Sequence, residues 1–248
     1  MIRNIILSGV KKGITGSGYL AGLLYDKGIP VETFHGIRLR LDPYQMIDHE
    51  IIVNGYFDKE VLGALLGQLK EGDVFWDVGA NMGLHSLTVK KLVKNLECHS
   101  FEPLYSNFAR LSSNQALNPL LPVEKYNFGL SDQLSVVELF STAGNHGRTS
   151  VTAMEHAKLT GAKIMAVTGD FLVSHRIKTP DIMKIDTEGH ELQVLKGCEA
   201  ILKSGKLRAV VYEALEHADS IRKFLEVHKF KVKSLDDKCN YLACRETG

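Results

Sequence analysis

In the stretch Asp77-Val78-Gly79-Ala80-Asn81-Met82-Gly83, a carboxylate is followed by two glycines four residues apart. The stretch comes directly after the apolar run Val74-Phe75-Trp76 and before an amphipathic segment, the position of a strand-to-helix turn. Free backbone N–H groups at such a helix start attract an anion. Gly79 permits a tight turn, and Gly83 permits close helix–strand packing or approach of a ligand. A dinucleotide loop reads GxGxxG. Here the central position is Asn81 and no third glycine follows at the required offset, which argues against NAD or FAD. A methionine carboxylate is a smaller anion and suits this narrower loop, with Asp77 at the strand end able to hold a cationic amino group. Glu102, followed by Pro103, ends the next apolar run, where a carboxylate can accept both hydroxyls of a ribose. The third run ends in Asn127-Phe128-Gly129-Leu130-Ser131-Asp132. There Asp132 or a neighbouring backbone N–H would read a base, or Asp132 would simply cap a turn.

A second cluster, Asp186, Glu188 and His190, follows the apolar run Ile182 to Ile185, and Glu213 ends the next run. In open α/β sheets ligands bind outside the carboxyl ends of the strands. Two chemistries are open to these residues. His190 or Glu188 can act as a general base towards a hydroxyl. Alternatively Asp186, Glu213 and His190 can surround a divalent cation such as Mg²⁺, which lowers the hydroxyl's pKa. The purely structural alternative is that Glu188 caps the following helix and His190 packs in its first turn. His146 and Arg148 lie in a polar, glycine-bearing insertion, where they would contact an acceptor or stay solvated.

The elements around these residues follow from apolar periodicity. Ile37, Leu39 and Leu41 alternate with Arg38 and Arg40 as in a half-buried strand. Asp58 is placed to cap a helix carrying Val61, Leu62, Leu65, Leu66 and Leu69, and Gly72 to end it. From Val74 onwards short strands alternate with helices: strands at 74–76, 98–101, 123–130, 182–185 and 207–212, and helices at 84–94, 104–116, 190–203 and 217–228. Alternation at this spacing predicts a parallel sheet covered by helices on both faces. Two final strands, 230–232 and 241–244, flank a short turn and should be antiparallel. Residues 131–170 do not fit a simple crossover, and 136–140 read as an extra strand.

At these residues a family becomes recognisable. Phe75 to Gly83 resembles the cofactor motif of class I methyltransferases. Met183-Lys184-Ile185-Asp186-Thr187-Glu188-Gly189-His190-Glu191, continuing to Val194-Leu195-Lys196-Gly197, resembles the hallmark of the FkbM family. Phe101-Glu102-Pro103 and Asn107 also fit. The resemblance spans residues 47–215 and implies a seven-stranded, Rossmann-like class I fold with an antiparallel C-terminal strand. It further implies S-adenosylmethionine as methyl donor, held by Asp77, Gly79, Asn81, Gly83, Glu102, Pro103, Asp132 and Asp186. O-methylation is the implied reaction, often of sugars in glycans, glycolipids or natural products. Val167-Thr168-Gly169-Asp170-Phe171-Leu172 departs from the family's usual Thr-Leu-Asp-like segment by its glycine, while Asp170 is retained.

Composition restricts the partners. The 248 residues carry a formal net charge of +1, without the basic excess of a protein that grips nucleic-acid backbone. Methylation of RNA or of another small molecule, or cofactor binding without catalysis, are the competing readings. No Asp-Pro-Pro-aromatic motif of base methylation is present, and none of the cysteines follows a proline or threonine as a cytosine-C5 nucleophile usually does. The cysteines, 98, 198, 239 and 244, are scattered without a CxxC pair and read as reduced. No apolar run is long enough to span a bilayer. The expected organisation is an N-terminal extension over 1–57 and a methyltransferase domain over 58–248. The expected setting is the cytoplasm, with peripheral membrane contact through residues 2–25 and homo-oligomerisation left open.

Overall fold

A computed structural model describes residues 8–9, 28–142, 149–150 and 159–246. The chain begins with an antiparallel pair, β1 (Ile29–Glu32) and β2 (Arg38–Leu41), followed by helices α1 (Met46–Asn54) and α2 (Lys59–Gln68). An alternating series follows: β3 (Val74–Val78), α3 (Leu84–Leu92), β4 (Glu97–Phe101), α4 (Tyr105–Ala116) and β5 (Glu124–Tyr126). Then come β6 (Gly129–Leu130), β7 (Ser135–Thr142), β8 (Thr149–Ser150), β9 (Leu159–Val167) and α5 (Gly169–Ser174). The chain finishes with β10 (Ile182–Ile185), α6 (Glu191–Lys196), α7 (Glu199–Lys203), β11 (Ala209–Glu213), α8 (Ala218–Val227), β12 (Phe230–Ser234) and β13 (Asn240–Arg245).

Seven strands form the main sheet in the order β12-β13-β11-β10-β3-β4-β5. Only β13 runs antiparallel to its neighbours, as expected of the terminal pair. This is the class I methyltransferase sheet. Every residue of β3 is buried, because helices cover both faces. The period of two sends Phe75 to one core, with Leu65, Leu87 and Val211, and Trp76 to the other, with Met183, Val194 and Leu202. The same period puts Asp77 and Lys184 on one face, and the β3–β10 register sets them side by side.

Residues 29–52 share the first core through Ile29, Ile37, Leu39, Leu41, Ile51 and Ile52. Side-chain amides on α4 and just beyond its end complete the open edge of β2. Asn118 Oδ1 and Asn114 Oδ1 accept from the backbone N–H of Arg38 and Arg40 at 3.0 and 2.8 Å.

Four sequence expectations change. The strand expected over 123–130 is two: β5 joins β4, and β6 leaves for a second sheet of order β6-β9-β7-β8. Asn127 holds the break, donating from Nδ2 to the carbonyls of Glu102 and Pro103. The helix expected over 190–203 divides at Gly197-Cys198, and a Cβ on Gly197 would lie 1.9 Å from the Ser131 carbonyl oxygen. The second half is held by Asp170, which accepts from the backbone of Ala200 and Ile201. Asp58 sits at the cap position of α2 in the left-handed region, with no capping bond from its side chain. The helix ends at Gln68, and Gly72 turns later with φ 81°. The glycine at 169 has a packing reason, since a Cβ there would stand 2.4 Å from Cys198 Sγ. The strand expected at 136–140 is part of β7. His146, Arg148 and nearly all of residues 1–27 lie outside the described residues. The four cysteines are free, and among the described residues no helix is long and apolar enough to cross a membrane.

Candidate active site

A cleft opens at the carboxyl ends of β3, β4, β10 and β11. Its floor includes Gly79, Asn81, Glu102, Pro103, Asp186, Glu188, His190 and Glu213. The start of α1, with Gln45 to Asp48, and Phe57-Asp58 form one wall. Val137, Leu139 and Ile164 of the second sheet line another.

On the β3–β4 side the loop is built from backbone. Gly79 and Ala80 donate to the Phe101 carbonyl, and Gly79 takes φ 79°. A Cβ on Gly79 would lie 1.8 Å from the Asp186 carbonyl oxygen, so the glycine lets the β3 and β10 loops touch. Gly83 serves packing, because a Cβ would strike Leu111 Cδ1 at 2.3 Å. Glu102 Oε2 accepts from Asn81 N–H at 2.8 Å, and Oε1 accepts from Leu104 N–H at 2.9 Å. Each oxygen keeps capacity for another donor, as a ribose diol requires. Burial raises this carboxyl to about 7.

Asp77 is fully buried and outside the cleft lining. Its Oδ2 accepts from Ser86 Oγ at 2.5 Å, and its Oδ1 lies 3.4 Å from Lys184 Nζ. Lys184 also reaches Asp186 Oδ2 at 3.2 Å and the Gly79 carbonyl at 3.4 Å. Burial opposes the charge on Lys184, but Asp186 and Asp77 outweigh it and hold its pKa above the ordinary lysine value. The nearby His85 is pushed down to about 4 by burial, with Lys184 adding to the effect. Asp132 is exposed, also outside the lining, and accepts from Ser131 Oγ at 3.1 Å.

On the β10–β11 side carboxylates crowd together. Oxygens of Asp186, Glu188 and Glu213 lie within 4.8 Å of one another. Burial works against the charge on Asp186, but Lys184 and a hydrogen bond with Glu213 hold its pKa below the usual range. Burial and the Asp186 charge push Glu213 up to about 8. Glu213 Oε1 also accepts from the Cys239 thiol at 3.1 Å. Near neutral pH this is a pair sharing a proton, Asp186 charged and Glu213 neutral. Hard cations take such oxygen ligands, and these three carboxylates could hold one; Lys184, shared with Asp77, and a proton on Glu213 offset only part of their negative charge. A divalent ion held there would lower the pKa of an acceptor hydroxyl.

Glu188 takes φ 53° in the turn before α6. Glu191, the first residue of α6, folds back on that turn: its Oε1 accepts from Thr187 N–H, Thr187 Oγ1 and Gly189 N–H at 2.9, 2.9 and 3.0 Å. His190 occupies the cap position of α6, and its Nε2 lies 2.9 Å from Ser131 Oγ. Burial lowers its pKa, which favours the neutral ring.

Sequence reasoning missed three features. Asp58 lines the cleft and is raised to about 7 by burial and the Asp186 charge. Arg110, beside Asn107 on α4, enters the lining and pairs with Asp48. Lys184 links the two halves of the site. Its signal was available, since a lysine inside a four-residue apolar strand is buried and must be paired.

A family model described as the methyltransferase FkbM domain matches residues 77–241. The hexuronic acid methyltransferase AglP of Haloferax volcanii is 29% identical over 183 residues, covering 71% of each chain. Methyltransferase sdnD of Sordaria araneosa is 26% identical over 185 residues, 62% of this chain and 69% of that one. A crystal structure of an FkbM methyltransferase from Methylobacillus flagellatus superposes with a TM-score of 0.50 at 16% identity. The match covers 71% of this chain and 44% of that one, so this chain spans less than half of that structure.

Proposed function

The chain belongs to the methyltransferase FkbM domain family, and on that premise we propose that it methylates a sugar hydroxyl with S-adenosylmethionine as donor. The observation that carries this reading is one cleft with two different ends. A ribose-type carboxylate stands at the end of β4, and a proton-handling cluster stands at the ends of β10 and β11. When bound, S-adenosylmethionine supplies an electrophilic methyl group on a sulfonium centre. Glu102 would accept the ribose hydroxyls, and Gly79, Asn81 and Pro103 would shape the loop around the donor. Asp77 acts beneath the loop, where with Lys184 it fixes the backbone of Gly79.

An alcohol holds its proton tightly, so the acceptor needs a base at its oxygen. Asp186, Glu188 and His190 face the same cleft and are the groups able to orient that hydroxyl and take its proton. Val137, Leu139 and Ile164 give the cleft an apolar wall, with Ile164 near Pro103 and Gly129. A sugar as acceptor is supported by the relative from Haloferax volcanii, which is named for action on a hexuronic acid.

The test is calorimetric titration with S-adenosylhomocysteine, with and without Mg²⁺, followed by a screen of glycans and free uronic acids as acceptors. Micromolar affinity, on the order of −8 kcal/mol, that does not depend on Mg²⁺ is expected. No binding in either condition would remove the donor assignment.

A further inference from the structure

The hydrogen bonds around His190 distinguish its two ring nitrogens. Ser131 is buried, its N–H donates to the Val167 carbonyl, and its own carbonyl packs where Gly197 lacks a side chain. Its hydroxyl is thereby held between β9 and the α6–α7 break. Ser131 Oγ has one proton and two acceptor positions. It stands 3.1 Å from Asp132 Oδ1 and 2.9 Å from His190 Nε2. An ionised carboxylate can only accept, so the single hydroxyl proton goes to Asp132. The same oxygen must then accept from His190, which places the ring proton on Nε2. Nδ1 keeps its lone pair and has no hydrogen-bond partner among the described residues, on a side chain that lines the cleft.

We infer that Ser131 and Asp132 are positioning residues that fix the proton of His190 on Nε2 and leave Nδ1 to receive the acceptor's proton. This rests on the methyl-transfer reading and names the base within it. The step balances. The hydroxyl proton passes to Nδ1, the oxygen's electron pair bonds to the methyl carbon, and the pair of the breaking carbon–sulfur bond stays on sulfur. The positive charge lost by the sulfonium is gained by the imidazolium, which releases its proton to water afterwards. Asp132 is exposed, so it can be replaced without opening the core.

The test is long-range proton–nitrogen NMR of histidine-labelled protein, with the His190 signals assigned by their loss in His190→Gln. The expected spectrum shows His190 protonated at Nε2. In Ser131→Ala, and in the surface variant Asp132→Ala, the population protonated at Nδ1 rises by a factor of two or more. A wild-type ring protonated at Nδ1, or a tautomer unchanged in Asp132→Ala, would overturn the inference. Titration of the same samples with S-adenosylhomocysteine separates the two claims. Wild-type protein that fails to bind it sinks the donor assignment, whatever the tautomer.

Discussion

The two ends of the cleft satisfy their charges in opposite ways. At the β3–β4 end, Glu102 is held by backbone N–H groups of Asn81 and Leu104, donors that come from the loops on either side of it. At the β10–β11 end, Asp186, Glu188 and Glu213 crowd one another, with Lys184 and a proton on Glu213 offsetting part of their charge. The first arrangement is rigid and local, which suits recognition of a constant donor. The second is a set of mutually dependent titrating groups, which suits moving a proton. Lys184 joins the two, because it touches Asp77, Gly79 and Asp186 at once.

Breaking that joint should give the largest effect. Lys184→Met leaves Asp77 buried without a counter-charge, and removing one partner of a buried pair costs about 3–5 kcal/mol. Urea unfolding should show a loss of this size, and pairing it with Asp77→Asn should recover a good part. Full stability in the single variant would show the linking role to be wrong. The next effect separates turnover from binding. Replacing a positioned base typically loses about 10²–10⁴ in rate. His190→Gln should therefore suppress methyl transfer to the acceptor found by screening, with S-adenosylhomocysteine affinity changed by no more than a few-fold. Equal losses in both would erase the distinction between the two ends.

Glu102→Ala should do the reverse. Hydrogen bonds to a charged group contribute about 1.5–3 kcal/mol, so calorimetry should show affinity for S-adenosylhomocysteine falling tenfold or more. The smallest effect concerns pH. Glu213 titrates near 8 in the folded protein, above its ordinary value. The folded state therefore keeps a proton that the unfolded chain loses. The resulting stabilisation is complete at acid pH and disappears as pH rises through about 8. Melting temperatures of wild type should fall over that interval more steeply than those of Glu213→Gln. Parallel profiles would deny the shared proton.

At the β3–β4 end spacing placed Gly79, Asn81 and Glu102 at the cleft, because they follow strands whose apolar runs are short and unbroken. Asp77, expected at the cleft to hold an amino group, is instead buried beneath it against Lys184, and Gly83 packs on Leu111. Asp186, Glu188, His190 and Glu213 were placed at the right edge by the same logic. Their division of labour was not legible. Glu188 reads as a helix cap from the sequence, and only the folded turn shows Glu191 holding the backbone N–H groups of Thr187 and Gly189. Asp58 reads as a cap by every local rule, yet its side chain makes no capping bond and lines the cleft instead.

The sequence by itself determined the alternation of strands and helices, the antiparallel end of the sheet and the two sets of residues at its carboxyl edge. Those features depend on periodicity and on neighbours a few positions away. Only the tertiary structure decided the pairing of Lys184 with Asp77, which needs the β3–β10 register. It also decided the division of the third strand between two sheets, the helix break at Gly197 and the contact of Ser131 with His190, 59 residues away. Each joins groups distant in the chain, where burial requires every charge and polar atom to find a partner that local spacing does not specify.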